Sequence, residues 1–264
     1  MRAAATLAEQ ITAHGLLAQA MERTHAGIPV LVVAFNNGRY VDNMVMQLNA
    51  YHIQPLVIDN CSTDPKTKAI LERLAQEQRA LVAWSPRNLG HLVGFLDPVY
   101  RLLPDVFGYT DPDLQFHKAM PPDFLSQLAA VVQRYRVFKA GLALSLDAGQ
   151  LRPMRASTRR RYPFKYEQSS TIREWECQYW TCRLLHETLE VYAAPVDTTM
   201  AVYQKKYFKG DFAQAVRVAG VFTAVHLPWF EDLDIVSVAE RELYRKTNRF
   251  SAWLRNGQAC EGKD

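Results

Sequence analysis

Residues 28–35 read IPVLVVAF, a run with no charged or hydrogen-bonding side chain. Its length and β-branched content favour a strand, and its lack of alternation means that both faces are buried. NNGRY (36–40) breaks the run, and residues 41–50 follow with helical spacing, Val41, Met44, Val45 and Leu48 falling on one face. QPLVIDN (54–60), ALVAW (80–84), VFGYT (106–110) and FKAGLALSL (138–146) repeat the buried-strand signature. Helical patterns lie between them. Asp64 followed by Pro65 is a strong helix start, and Leu71, Leu74 and Ala75 continue it. RNLGHLVGF (87–95) opens a helix-like segment, and PPDFLSQLAAVVQRY (121–135) places Phe124, Leu128, Val131 and Tyr135 on one helical face. Residues 3–22 read as an N-terminal helix interrupted only by Gly15. This alternation predicts an α/β fold: a Rossmann-like α/β/α sandwich with a mostly parallel central sheet and helices on both faces.

In such sheets ligands bind beyond the carboxyl ends of the strands. Polar clusters sit at those ends: NNGR after the first strand, DNCSTD after the second, RNLG after the third and TDPD after the fourth. All four are expected to face one crevice. From about 150 to 180 the pattern degrades into a basic, aromatic stretch, which reads as a loop over that crevice rather than a second domain. Helical spacing returns over 233–256. The whole chain, 1–264, reads as one domain, with an N-terminal helix (1–27), a ligand-binding half (28–146), an acceptor-side half (147–232) and a C-terminal helix and tail (233–264).

The chain has 264 residues, a hydrophobic fraction of 48% and a formal net charge of +4, which is globular and only mildly basic. The basic residues are uneven. Arg152, Arg155, Arg159, Arg160, Arg161 and Lys165 crowd one stretch, and Arg241, Arg245, Lys246, Arg249 and Arg255 crowd the C-terminus. These runs lack the interleaved aromatics of a nucleic-acid surface, so no nucleic-acid partner is expected. Cys61, Cys177, Cys182 and Cys260 form no CxxC pair and are too few for a disulfide framework. No apolar run reaches a membrane span, and no secretory signal is read at the N-terminus. A cytoplasmic location follows, with peripheral contact at the inner face of a membrane through the basic C-terminal helix as one arrangement and docking onto the core as the other.

YTDPD (109–113) sets Asp111 and Asp113 two positions apart across a proline. In an extended segment such a pair points to one side, and Pro112 fixes the backbone between them. Asp-Pro-Asp is a good turn sequence. It also suits a Mg²⁺ or Mn²⁺ ion, which accepts one or two carboxylates and completes its shell with substrate phosphates and water.

IPVLVVAFNNGRYVDNMVMQL, LVIDNCSTD, PRNLGHLVGF and YTDPDLQF occur in that order over residues 28–146. Together they resemble the nucleotide-sugar-binding half of family 2 glycosyltransferases of the GT-A fold. One departure is Asn60, where many relatives carry a second acidic residue. The resemblance implies that Ala34, Phe35 and Asn36 line a uracil and ribose pocket and that Asp59 accepts a hydrogen bond from the base. It implies that Asn88 and Gly90 lie by the ribose and donor sugar. Asp111 and Asp113 would then be the DxD motif holding Mn²⁺ or Mg²⁺ against the donor diphosphate. His226, in TAVHLPWF (223–230), resembles the late histidine that such enzymes add as a metal ligand; otherwise it is a hydrogen-bonded core histidine.

An inverting transfer needs a carboxylate to take the acceptor proton. Glu174 and Glu176 in IREWECQYW (172–180) and Asp197 in APVDTTMAVY (194–203) are the candidates. Glu176 is favoured because its stretch resembles the acceptor-side acidic motif of the superfamily, with Asp197 as second base or brace. A salt bridge to one of the arginines is the competing role for each. Trp175, Tyr179 and Trp180 either stack on a sugar or pack in the core, and RRRYPFK (159–165) is either a solvated loop or a flap over the diphosphate. The expected function is metal-dependent transfer of a sugar from a nucleotide-sugar donor, UDP-linked, to a hydroxyl of a saccharide or lipid-linked saccharide, in surface glycan or polysaccharide synthesis. The alternatives are a non-catalytic nucleotide-sugar or glycan-binding protein of the same fold, and a sugar-1-phosphate nucleotidylyltransferase. AFNNGRY lacks the glycine- and basic-rich loop that the latter needs.

Overall fold

The computed structural model describes residues 2–24, 26–160 and 166–247. The N-terminal segment is two helices, α1 (Arg2–Ala13) and α2 (Leu16–Glu22), because Gly15 takes a left-handed backbone at φ 58° that ends one helix and starts the next. Then come β1 (Val30–Ala34), α3 (Gly38–Ala50), β2 (Leu56–Asp59), α4 (Pro65–Gln76) and β3 (Leu81–Trp84). Asp64 caps α4 as expected, accepting from the Thr67 amide at 2.9 Å with Pro65 in the first turn. The helix expected over 87–95 is instead turns, one 3-10 turn at Val93–Phe95 and the short α5 (Val99–Leu102). Gly90, at φ 87°, and Pro98, without an amide hydrogen, prevent a continuous ladder there.

The chain continues through β4 (Val106–Thr110), β5 (Leu114–Phe116), α6 (Phe124–Tyr135) and β6 (Lys139–Leu144). The region expected as an irregular loop is a hairpin, β7 (Arg155–Arg160) with β8 (Tyr166–Thr171), running into α7 (Ile172–Cys177). Polar residues throughout both strands hide the hairpin from a search for apolar alternation. Thr171 and Glu174 close a reciprocal capping box on α7. Arg161 to Lys165 lie outside the described residues, and with them most of the RRRYPFK run. The last elements are β9 (Arg183–Leu184), β10 (Val191–Ala193), β11 (Ala201–Gln204), β12 (Ala215–His226) and α8 (Val238–Thr247). The helix expected over 233–256 begins only at Val238 and is described to Thr247; Arg249 and Arg255 of the basic C-terminal run lie outside the described residues.

The main sheet runs β3-β2-β1-β4-β11-β6-β12-β10-β9, with β5 paired to β12. Strands β3, β2, β1, β4, β6 and β12 point one way, and β11 lies antiparallel between β4 and β6. The expected mostly parallel sheet flanked by helices is borne out. The inserted β11 was not expected as a neighbour of β4, because strand order depends on contacts between distant segments. All five β1 residues are buried. Val30, Val32 and Ala34 face the core built with α3, α4 and α6, where Val41, Met44, Leu48, Leu71 and Phe124 pack. Leu31 and Val33 face the second core with α1, around Leu7, Ile11, Phe107, Tyr109 and Tyr203.

Gly38, at the start of α3, sits where α3 meets α4: a Cβ there would stand 2.8 Å from the Thr67 Cα. The Ile70 side chain next to it can turn away, but the Thr67 Cα is backbone, so the two helices themselves would have to shift. Gly38→Ala is expected to cost about 1–3 kcal/mol of folding stability through overpacking, read from the urea midpoint at constant slope. An unchanged midpoint would show that the two helices separate freely.

Candidate active site

The carboxyl ends of β1, β2, β3 and β4 open onto one cleft of about 720 Å³. Its wall includes Phe35, Asn36, Asn88, Gly90, Asp111, Asp113, Glu176, Asp197 and His226, so nine of the eleven site residues expected from sequence are brought together. Ala34 and Asp59 are not on that wall. They are paired in register across β1 and β2 and lie one layer beneath it, both almost fully buried.

Asp59 shapes the loops above it. Its carboxylate accepts from the Ser62 hydroxyl at 2.5 Å and the Ser62 amide at 3.0 Å, and Ser62 Oγ in turn accepts from the Asn36 amide at 2.9 Å. Burial raises the Asp59 pKa, and the Ser62 bonds pull against it. Asn36, at φ 50°, ties three segments: its Oδ1 accepts from the Thr63 and Asp64 amides, and its Nδ2 donates to Thr247 on α8 at 3.1 Å. Asn60 explains the departure noted in the sequence. Its amide clamps the next loop, donating to the Gly90 carbonyl at 2.8 Å and accepting from the Leu89 amide at 2.7 Å. A carboxylate could not donate to that carbonyl. Asn88 closes the same loop by accepting from the Gly90 amide.

The acidic pair is placed by two strand contacts. β5 pairs antiparallel with the end of β12, matching Leu114 with His226, and the Leu227 amide donates to the Asp113 carbonyl. His226 Nε2 therefore stands 3.4 Å from Asp113 Oδ2. On the other side, the Asp111 amide donates to the Thr198 carbonyl, and Thr198 Oγ1 donates back to Asp111 Oδ2 at 2.5 Å. Burial, and then the nearby Asp113 charge, push the Asp111 pKa well above the carboxylate range. Burial lowers the His226 pKa and keeps the imidazole neutral, the form that binds metals. Asp113 Oδ1 and His226 Nδ1 are buried without a hydrogen-bond partner among the described residues. Among the same residues, no three His, Cys, Asp or Glu side chains are gathered tightly enough to hold a metal by themselves. An orphaned carboxylate oxygen beside a neutral imidazole fits a cation that draws its remaining ligands from substrate and water.

Glu176 and Asp197 sit differently. Glu176, 1% exposed, is in a buried ion pair with Arg217, whose guanidinium also stacks on Tyr179 at 4.2 Å and donates to the Pro195 carbonyl at 2.8 Å. Burial pushes the Glu176 carboxyl up to about 7, against the pull of Arg217. Asp197 is exposed on the cleft wall, next to the Thr198 that holds Asp111. Its carbonyl accepts from Lys139 Nζ at 3.3 Å and the Tyr203 hydroxyl at 3.2 Å. The sequence reading missed Lys139, Thr198 and Arg217. Lys139 opens an otherwise apolar strand, FKAGLALSL, and that misplaced charge was the available signal.

Lys139 is fully buried, its ammonium 3.4 Å above the Phe212 ring, and burial pushes its pKa down to about 7. The unfolded chain keeps the proton up to the ordinary lysine value of 10.5. Below 7 both states are protonated and the burial cost is fully felt; across the window from 7 to 10.5 the unfolded state binds more protons. Stability relative to Lys139→Met is therefore expected to rise with pH there, by up to about 1.4 kcal/mol per unit. Urea titrations at stepped pH measure it, and a flat difference would place the lysine's pKa near its usual value.

No helix among the described residues is long and apolar enough to cross a membrane. α8 lies along the cleft rim, with Glu240, Arg241 and Tyr244 on its wall. The family model described as glycosyl transferase family 2 matches residues 30–190. Two solved structures are similar at low identity. One is S. aureus TarS 1-349, at 15% identity and TM-score 0.37, covering 67% of this chain and 47% of that one. The other is the mannosyltransferase PcManGT from Pyrobaculum calidifontis in complex with GDP-Man and Mn²⁺, at 12% identity and TM-score 0.45, covering 98% of this chain and 76% of that one. The chain thus spans about half the length of the TarS chain it matches. No curated protein sequence matches the chain.

Proposed function

Since the chain belongs to glycosyl transferase family 2, we propose that it transfers a sugar from a nucleotide-sugar donor, UDP-linked, to a hydroxyl of a saccharide or lipid-linked saccharide. The observation that carries this reading is the meeting of Asp111, Asp113, His226 and Asp197 on one cleft beyond the strand ends. The loops fastened by Asn36 and Asn60 form the nucleotide end of that cleft. Asp113 and His226, with Asp111 beside them, would hold Mn²⁺ or Mg²⁺. Such an ion supplies positive charge where the leaving diphosphate becomes more negative.

The protein's own residues do the rest. Asp197 takes the proton from the acceptor hydroxyl as that oxygen bonds to the anomeric carbon. The bond from that carbon to the diphosphate breaks, and its electron pair leaves with the nucleoside diphosphate. Asp197 is preferred to Glu176 because its carboxylate lies open on the cleft wall, whereas Glu176 is buried against Arg217. Glu176 then acts through Arg217, which fixes the Pro195 carbonyl and so the loop that carries Asp197. Trp175 and Tyr179, on the same wall, offer ring faces to an acceptor sugar.

Calorimetry of UDP, GDP, CMP and their sugars, each with and without Mn²⁺, tests the reading. Metal-dependent binding of UDP and its sugars is expected. Binding of another nucleotide instead would correct the donor, and no nucleotide binding in any condition would overturn the reading.

A further inference from the structure

Asp234 is a carboxylate with a fully buried side chain and three partners in the cleft wall. It accepts from the Tyr40 hydroxyl at 2.5 Å, from Arg241 Nη2 at 2.7 Å and Nε at 3.1 Å, and from Arg152 Nη2 at 3.3 Å. A buried carboxylate is costly unless it is paired, and here it is paired twice over. Two guanidiniums share one carboxylate, which leaves an excess of one positive charge. Both arginines line the cleft, with side chains 16% and 29% exposed. Arg152 Nε is buried without a partner among the described residues. Arg39, on the same rim, is already neutralised by Glu240 at 2.9 Å.

The position of this group matters as much as its charge. The Arg152 amide donates to the Trp229 carbonyl at 2.7 Å, the Trp229 ring packs 4.6 Å from His226, and His226 touches Asp113. The excess cation therefore shares the cleft wall with the acidic pair. We infer that Arg152 and Arg241, oriented by Asp234, form an anion subsite that takes the diphosphate of the donor and of the departing nucleoside diphosphate. The inference rests on the donor reading proposed above and adds the ligand group and the residues that hold it. A planar guanidinium presents paired N–H donors matched to phosphate oxygens, and Asp234 fixes its plane before the ligand arrives. A divalent ion on Asp113 and His226 neutralises only part of a nucleoside diphosphate, and the arginine pair meets the remainder.

The test measures binding of inorganic pyrophosphate, the nucleoside diphosphate and the matching nucleoside to the full chain in Mn²⁺. Wild type, Arg152→Met, Arg241→Met and Arg152→Lys are compared, each checked for an intact thermal transition. Either methionine variant is expected to weaken the two phosphate ligands by about 10- to 100-fold, as loss of a charged hydrogen bond does, and to leave the nucleoside unchanged. Arg152→Lys should recover part of the loss. Wild type binding the nucleotide, with both methionine variants within twofold of it, overturns the subsite and leaves the donor reading standing. Wild type binding pyrophosphate but no nucleotide, with the loss on substitution, upholds the subsite and overturns the donor reading. Binding of neither ligand by wild type overturns both.

Discussion

Asp197→Asn is expected to lower the transfer rate by about 10²- to 10⁴-fold, the usual contribution of a general base, while donor binding stays at its wild-type value. The substitution keeps the shape of the side chain and removes its capacity to take a proton. What fixes Asp197 in space is its backbone, through Lys139 and Tyr203 on its carbonyl and Arg217 on the carbonyl of Pro195. Those bonds survive the change, so the loss should fall on kcat rather than on the donor KM. Glu176→Ala makes the contrast. It strips the buried Arg217 of its carboxylate partner and is expected to cost about 3–5 kcal/mol of stability, as breaking a buried pair does. Its effect on rate then follows the disturbance of the 194–199 loop. Transfer kinetics and urea titrations on both variants separate the two roles. Full transfer by Asp197→Asn, together with a Glu176→Gln variant that is stable but inactive, would return the base to Glu176.

The parallel strands were legible in the sequence because each is a run of apolar residues long enough to be buried and too short to be a helix. Residues 28–35 and 54–60 show this most clearly. The crevice was legible for the same reason: polar clusters at strand ends must converge when the strands are parallel. Strand order was not. β11 reads simply as an apolar run after DTT, and nothing local tells that it lies antiparallel between β4 and β6. Yet that placement brings Thr198 onto Asp111. The meeting of Asp113 with His226 depends on the three-residue β5 pairing with the far end of β12, a contact with no local signature. Asn60 looked like a missing acid; its amide is needed where a donor must reach the Gly90 carbonyl. Asp234 passed unnoticed because an acid in the charged stretch EDLD (231–234) before a helix resembles a solvated surface residue, and only the fold buries it among Tyr40, Arg152 and Arg241.

Asp113→Ala is expected to reduce metal-dependent nucleotide affinity by at least about 100-fold, the upper end of what losing a supporting partner of a metal ligand costs. In the absence of metal the same change should have the opposite sign on stability. Asp113 Oδ1 is buried with no partner among the described residues, and the Asp113 charge helps to raise the Asp111 pKa. Removing it relieves both a desolvated oxygen and a repulsion between two acids. The cleft thus carries an arrangement that is unfavourable by itself and that the cation proposed for it would compensate, as expected of a site kept for binding rather than for folding. Thermal unfolding of wild type and variant, in chelator and in Mn²⁺ with the nucleotide, reads both effects at once. The variant should melt no lower than wild type in chelator, and should gain nothing from metal and nucleotide where wild type gains several degrees. A variant that is destabilised in chelator and still stabilised by the metal would mean that Asp113 braces β5 against β12 and that the cation, if bound, is held by other groups.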